Sequence, residues 1–245
     1  MLVTTEFVDL PTASTPMRTM VARPAAEGTY PGVLLYTDIF QHTPSMQRAI
    51  VRFASYGFVV AAPEIYHRFE APGRAFDFVP DYDAAQAATA KFHVTDADSD
   101  RPIVLDYLAR HAAVGGKSLH VMGFCIGGHL AFRAAALEPR VRSSVCFYPT
   151  GLESGSLGGD TGVDTLSRCG AIRGDLLIIF GAIDPHIPLE GRRKIDDTLR
   201  AANVRYLISE YYGAHAFLRD QGERYNASEA DRAVLQATSF LHSNA

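Results

Sequence analysis

Five short stretches of this chain are apolar at nearly every position: residues 33–36, 58–61, 119–122, 145–148 and 176–180. A strand with one face in water alternates apolar and polar residues. Runs like these therefore belong to strands covered on both faces, as in parallel sheets. Parallel neighbours need crossover connections, and helical patterns lie where those are required. Thr43-Pro44 reads as an N-cap followed by proline at the first helical position, opening a helix that reaches about Tyr56. Further helical regions lie within 82–111, from beside Cys125 onward, over 189–202, and from Asn226 to Leu241, where Asn226 and Glu229 have the spacing of a capping box. Strand alternating with helix is the signature of an α/β domain: a mostly parallel central sheet with helices on both faces. Two more polar β-like runs, 3–8 and 18–22, are separated by a segment holding Pro11 and Pro16 and suit an antiparallel pair at the N-terminal edge.

At 245 residues the chain buries a large core without disulfides or a structural metal, and no linker or internal repeat divides it, so residues 1–245 are expected to form one domain. Acidic side chains number 27 against 23 basic ones, a formal charge of −4, which gives no electrostatic reason to expect nucleic acid or a membrane surface as partner. No apolar run is long enough to span a bilayer. Three cysteines cannot all pair within one chain, and the start lacks the basic and apolar regions of an export signal. Reduced thiols and a cytoplasmic location are the expectation. The Gly-rich stretch 155–162 reads as a flexible surface loop, with a lid over a pocket as the less favoured alternative.

The most informative segment is Val121-Met122-Gly123-Phe124-Cys125-Ile126-Gly127-Gly128, where an apolar strand runs into a helix with an apolar stripe at Ile126, Leu130, Ala134 and Leu137. So tight a turn crowds the residue at its apex. Glycines two before and two after remove the β-carbons that would collide, and the apex side chain points out of the sheet's end. This is the logic of a nucleophile elbow, with cysteine where serine usually sits. The first N–H groups of the helix and its dipole favour thiolate over thiol. A plainer alternative is a cysteine merely buried at a helix start, but paired glycines at this spacing argue against it. A dinucleotide-binding turn would need glycine at position 125. A phosphate loop at Gly115-Gly116-Lys117-Ser118 fails because His111 stands where glycine is required and a strand follows.

A nucleophile needs a base, and the base an orienting acid. In α/β hydrolases these follow in the order acid, then histidine. The apolar run 176–180 leads into Gly181-Ala182-Ile183-Asp184, placing Asp184 at the carboxyl edge of the sheet. One strand–helix unit later, His215 falls in the loop after the 204–209 run and before the last helix. The other eight histidines lack such a placement, although His186 lies close to Asp184. No Cys/His spacing suggests a metal site.

With these residues the sequence resembles the dienelactone hydrolase family, a cysteine-nucleophile branch of the α/β hydrolases. The resemblance runs from the 33–36 strand to the last helix. It rests on Asp38-Ile39-Phe40, on Gly123-Phe124-Cys125-Ile126-Gly127-Gly128, on Asp184 with Pro188, and on Gly213-Ala214-His215-Ala216-Phe217. It implies an α/β-hydrolase fold, a Cys125–His215–Asp184 triad, an oxyanion hole from the N–H groups of Ile39 and Ile126, and hydrolysis of a small carboxylic ester or lactone without a cofactor. It also implies that Asp38, one methylene shorter than the family's glutamate, either reaches toward Cys125 to switch the thiol, the favoured reading, or serves only to cap its loop. Arg219 matches one of the family's two carboxylate-binding arginines, the alternative being a solvated loop charge; either Arg68 or Arg74 replaces the other arginine, or the substrate is not acidic. Tyr66, His67 and Arg68, following the 58–61 strand, are candidates for the pocket rim. Two competing classes are a non-catalytic α/β-hydrolase-like protein binding a small ligand and a thiol redox protein, the latter lacking any C-x-x-C.

Overall fold

The computed structural model describes residues 1–245. Eight strands form one sheet: β1 (Val3–Leu10), β2 (Met17–Pro24), β3 (Gly32–Tyr36), β4 (Val59–Pro63), β5 (Leu119–Phe124), β6 (Val141–Phe147), β9 (Asp175–Gly181) and β10 (Tyr206–Tyr211). Their order is β1-β2-β4-β3-β5-β6-β9-β10. β1 pairs antiparallel with β2, and β2 antiparallel with β4; every other pairing is parallel. The all-apolar runs form β3, β4, β5, β6 and β9, and the mixed runs form the antiparallel edge.

The helices are α1 (Pro44–Ser55), α2 (Tyr82–Thr89), α3 (Val94–Arg110), α4 (Ile126–Leu137), α5 (Leu189–Ala201) and α6 (Ala227–Ser243). Thr43 caps α1 by accepting the Met46 N–H at 3.2 Å. The Asn226–Glu229 pair makes only half of the expected box. Asn226 accepts the Glu229 N–H, but the Glu229 carboxylate turns to Arg232. Alternation along β5 shows that helices cover both faces. A β-carbon on Gly123 would lie 2.0 Å from Gly127 O of α4, whereas the next residue, Phe124, meets Phe53 of α1 on the opposite face. One continuous apolar core lies between these layers.

Two local expectations are corrected. The helical pattern within 82–111 is broken into α2 and α3 at residues 90–93. The Gly-rich stretch is a hairpin rather than an irregular loop, with β7 (Ser156–Leu157) paired to β8 (Asp160–Thr161). The two departures share a cause, because the hairpin docks into the break. Gly159 donates to Phe92 O at 2.8 Å, and a β-carbon on Gly158 would lie 2.3 Å from that same oxygen. Asp160 then accepts the Val94 N–H and pairs with His93, both at 2.7 Å, where the N–H groups of α3 lack helical acceptors.

The chain leaves β3 for β4 on one side and returns to β5 on the other. The carboxyl ends of β3 and β5 therefore flank the point where strand order reverses, which is where open α/β sheets leave a crevice.

Candidate active site

Cys125 occupies the turn between β5 and α4 with φ 61° and ψ −119°, a conformation side-chain-bearing residues rarely adopt. Its three glycine neighbours make the turn possible. A β-carbon on Gly127 would lie 2.3 Å from Thr37 O, and one on Gly128 2.5 Å from Phe147 O, nearly as close as the Gly123 contact with α4. The Cys125 N–H donates to Phe147 O at 3.0 Å, and its carbonyl accepts from Gly128 in the first turn of α4. The thiol is half-buried, with Thr150 Oγ1 3.6 Å from Sγ.

Asp184 follows β9, and His215 follows β10. Asp184 Oδ2 lies 2.7 Å from His215 Nδ1, and Oδ1 accepts the His186 N–H at 2.8 Å. Both side chains of the pair are buried. Burial pushes the Asp184 carboxyl up, but its hydrogen bond to His215 and the charge of that ring outweigh this and hold it below the usual carboxylate range. Burial likewise pulls the His215 imidazole down. The facing charge of Cys125 and the hydrogen bond to Asp184 reverse that effect and raise it to about 9. Tyr148 and His186 hold the ring edge-on, at centroid distances of 5.0 and 4.7 Å.

A cleft of about 550 Å³ opens over Cys125 and His215. Ile39 and Ile126 line it. The Ile39 amide makes no hydrogen bond within the protein, and the Ile126 amide belongs to the first turn of α4, whose N–H groups have no helical acceptor. The apolar wall is made by Phe40, Phe78, Val79 and Leu157, so the hairpin is part of the cleft. No group of three or more His, Cys, Asp or Glu side chains is arranged to hold a metal ion.

Five expected residues lie differently from their anticipated places; among them His67 is buried away from the cleft, its Nε2 3.0 Å from Asp100 Oδ2. Both Asp38 oxygens are taken, Oδ1 by the Phe40 N–H at 2.9 Å and Oδ2 by Arg219 Nη2 at 3.1 Å. Asp38 thus caps its own loop and holds Arg219, and it makes no hydrogen bond to the thiol. Arg219 does line the cleft, its guanidinium 4.0 Å from the Phe78 ring centre and 4.8 Å from that of Phe40. Tyr66 is fully buried one layer behind the wall, its hydroxyl 2.7 Å from Thr89 Oγ1. Arg68 is drawn away from the cleft by the Asp100 carboxylate, which it grips with two hydrogen bonds. Arg74 sits over Phe76 and reaches Asp81 rather than the cleft.

Sequence reasoning missed Thr150, Ser156 and Arg224, which also line the cleft. Arg224 is exposed and has no ion-pair partner. Thr150 was reachable by the sheet-edge argument that found Asp184, since it lies just past the carboxyl end of β6.

Comparison with known proteins agrees with this architecture. Residues 17–244 match the sequence profile of the dienelactone hydrolase family. A Saccharomyces cerevisiae protein named "Putative carboxymethylenebutenolidase" is 35% identical over 246 residues, spanning 97% of this chain and 89% of its own. A Synechocystis protein of the same name is 29% identical over 228 residues, spanning 92% and 91%. The crystal structure of a "Putative Dienelactone Hydrolase" from Klebsiella pneumoniae superimposes with a TM-score of 0.87 over 99% of both chains, at 24% identity. With fold, elbow and profile in agreement over nearly the whole length, the chain belongs to the dienelactone hydrolase family.

Proposed function

We propose that this chain hydrolyses carboxylic esters or lactones with Cys125 as nucleophile, His215 as the proton-transferring group and Asp184 as its orienting partner. The observation that carries this reading is the 2.7 Å Asp184–His215 pair opening on the same cleft as a cysteine held at a strained strand-to-helix turn. Ionised Cys125 attacks the acyl carbon. As the C–S bond forms and the C–O bond breaks, imidazolium His215 gives its proton to the departing oxygen. Water then attacks the thioester, yielding its proton to His215, and the sulfur leaves as thiolate. The N–H groups of Ile39 and Ile126 are the donors for the oxyanion formed at each step.

Thiolate is itself a good leaving group, so the tetrahedral adduct divides between product and substrate. Activated enol or aryl esters are therefore favoured over alkyl esters and amides. Arg219, on the cleft wall, is the cation a substrate carboxylate would meet. A small soluble ester or lactone is the proposed partner, and the cytoplasm the proposed location.

The test is Cys125→Ala, expected to lower kcat/KM for a p-nitrophenyl ester and for a dienelactone by at least about 10³-fold with an unchanged circular dichroism spectrum. Hydrolysis surviving in that variant would remove the nucleophile from the proposal.

A further inference from the structure

Thr150 has no part in the proposed triad, yet its hydroxyl lies 3.6 Å from the Cys125 sulfur and makes no other hydrogen bond. The residue is also held from both sides by the turn that carries the cysteine. Its N–H donates to Cys125 O at 3.3 Å, and its carbonyl accepts from His129 Nδ1 of α4 at 3.0 Å. A carbonyl can only accept, so the Nδ1 proton of His129 points at Thr150. Burial pulls the His129 imidazole down to about 4, which keeps this donor neutral across the neutral range.

The backbone around Thr150 is shaped for this approach. Tyr148, just past the end of β6, takes φ 36°, and the absence of a β-carbon on Gly128 lets Phe147 and Pro149 lie against α4. Strain at one residue and a glycine on the facing helix thus bring one hydroxyl to the sulfur.

A thiolate can only accept a hydrogen bond, whereas a thiol and a hydroxyl can exchange roles. The Thr150 hydroxyl therefore interacts more favourably with the ionised sulfur. We propose that Thr150 is a positioning residue for the nucleophile, its hydroxyl donating to the Cys125 thiolate and holding it toward the cleft. The proposal rests on the reading of Cys125 as nucleophile. The same donor meets the charge again when the sulfur leaves the thioester.

The experiment is the rate of iodoacetamide alkylation at Cys125 as a function of pH, read by intact-protein and peptide mass, in the parent, Thr150→Val and Thr150→Ser. Thr150→Val is expected to react about tenfold more slowly near neutral pH and to converge with the parent in alkali, where the sulfur is ionised in both. Thr150→Ser is expected to follow the parent. Where valine disturbs the clamp, Thr150→Ala removes the hydroxyl without branching and carries the same expectation. A profile superimposable on the parent's, or one lowered equally at every pH, overturns the proposal; the second result would report altered access. No substrate is used, so the outcome is separable from hydrolysis. An active Cys125→Ala variant removes the nucleophile itself, whereas an unshifted Thr150→Val profile removes only the threonine's role.

Discussion

At Cys125, Tyr148 and Ala216 the backbone takes positive φ values of 61°, 36° and 61° without glycine's freedom. Such conformations cost on the order of 1–3 kcal/mol each and persist only where the surroundings over-determine them. At Cys125 the surroundings are the backbone contacts at Gly123, Gly127 and Gly128, which is why the elbow could be read from the chain. A glycine's steric requirement is local, and its spacing from cysteine is visible in sequence. Arg219 shows the opposite case. The family resemblance marked it as a carboxylate-binding cation, but its pairing with Asp38 joins residues 181 apart and depends on the finished fold. If Arg219 binds a substrate carboxylate as proposed, that carboxylate competes with Asp38. Arg219→Met, which keeps an unbranched stem near the Phe40 and Phe78 rings, is then expected to lower kcat/KM by about 10–100-fold on carboxylate-bearing esters and by less than about threefold on neutral ones. Equal losses on both classes in paired kinetic assays would dismiss that role.

Among the elements, α1 and α6 were legible from their caps, because Thr43-Pro44 and Asn226 satisfy helix ends with their own atoms. The break between α2 and α3 was not, since it is fixed by a hairpin about 65 residues away in sequence that no local pattern links to it. Asp160 is the pin of that contact. Asp160→Ala is expected to cost about 1 kcal/mol, the usual worth of a carboxylate at a helix start, in urea unfolding. Because the hairpin contributes Ser156, Leu157 and Gly158 to the cleft wall but no group of the proposed triad, KM should rise more than kcat falls. A kcat loss with unchanged KM would mean that the hairpin acts on the reacting groups instead.

For the molecule as a whole, the α/β class and the antiparallel edge were readable from which runs are apolar throughout and which are mixed. The order of strands was less accessible, because it is set by the side of the sheet to which each crossover returns. Stability should depend on pH in both directions. Burial pulls His120 and His129 down to about 4, so both stay neutral in the folded state while an unfolded histidine protonates near about 6.5. Their contribution is present above the unfolded value and is lost as pH falls from about 6.5 toward 4, on the order of 3 kcal/mol for each. His215, raised to about 9, acts with the opposite sign: its stabilisation is present below about 6.5 and is lost as pH rises through 9. Urea midpoints should therefore be highest near neutrality. The acid limb should flatten in His120→Gln and the alkaline limb in His215→Gln; unchanged limbs would contradict these assignments.

The three residues proposed to react are borne by the ends of β5, β9 and β10, whereas much of the cleft's lining comes from loop and short-element residues such as Phe78, Leu157 and Arg224, none of them in a strand of the large sheet. Catalytic framework and substrate lining are thus carried by different stretches of chain. Grafting those lining segments from a relative would recast what the molecule accepts while the ladder beneath kept its alignment, so descent within such a lineage need not preserve a common diet.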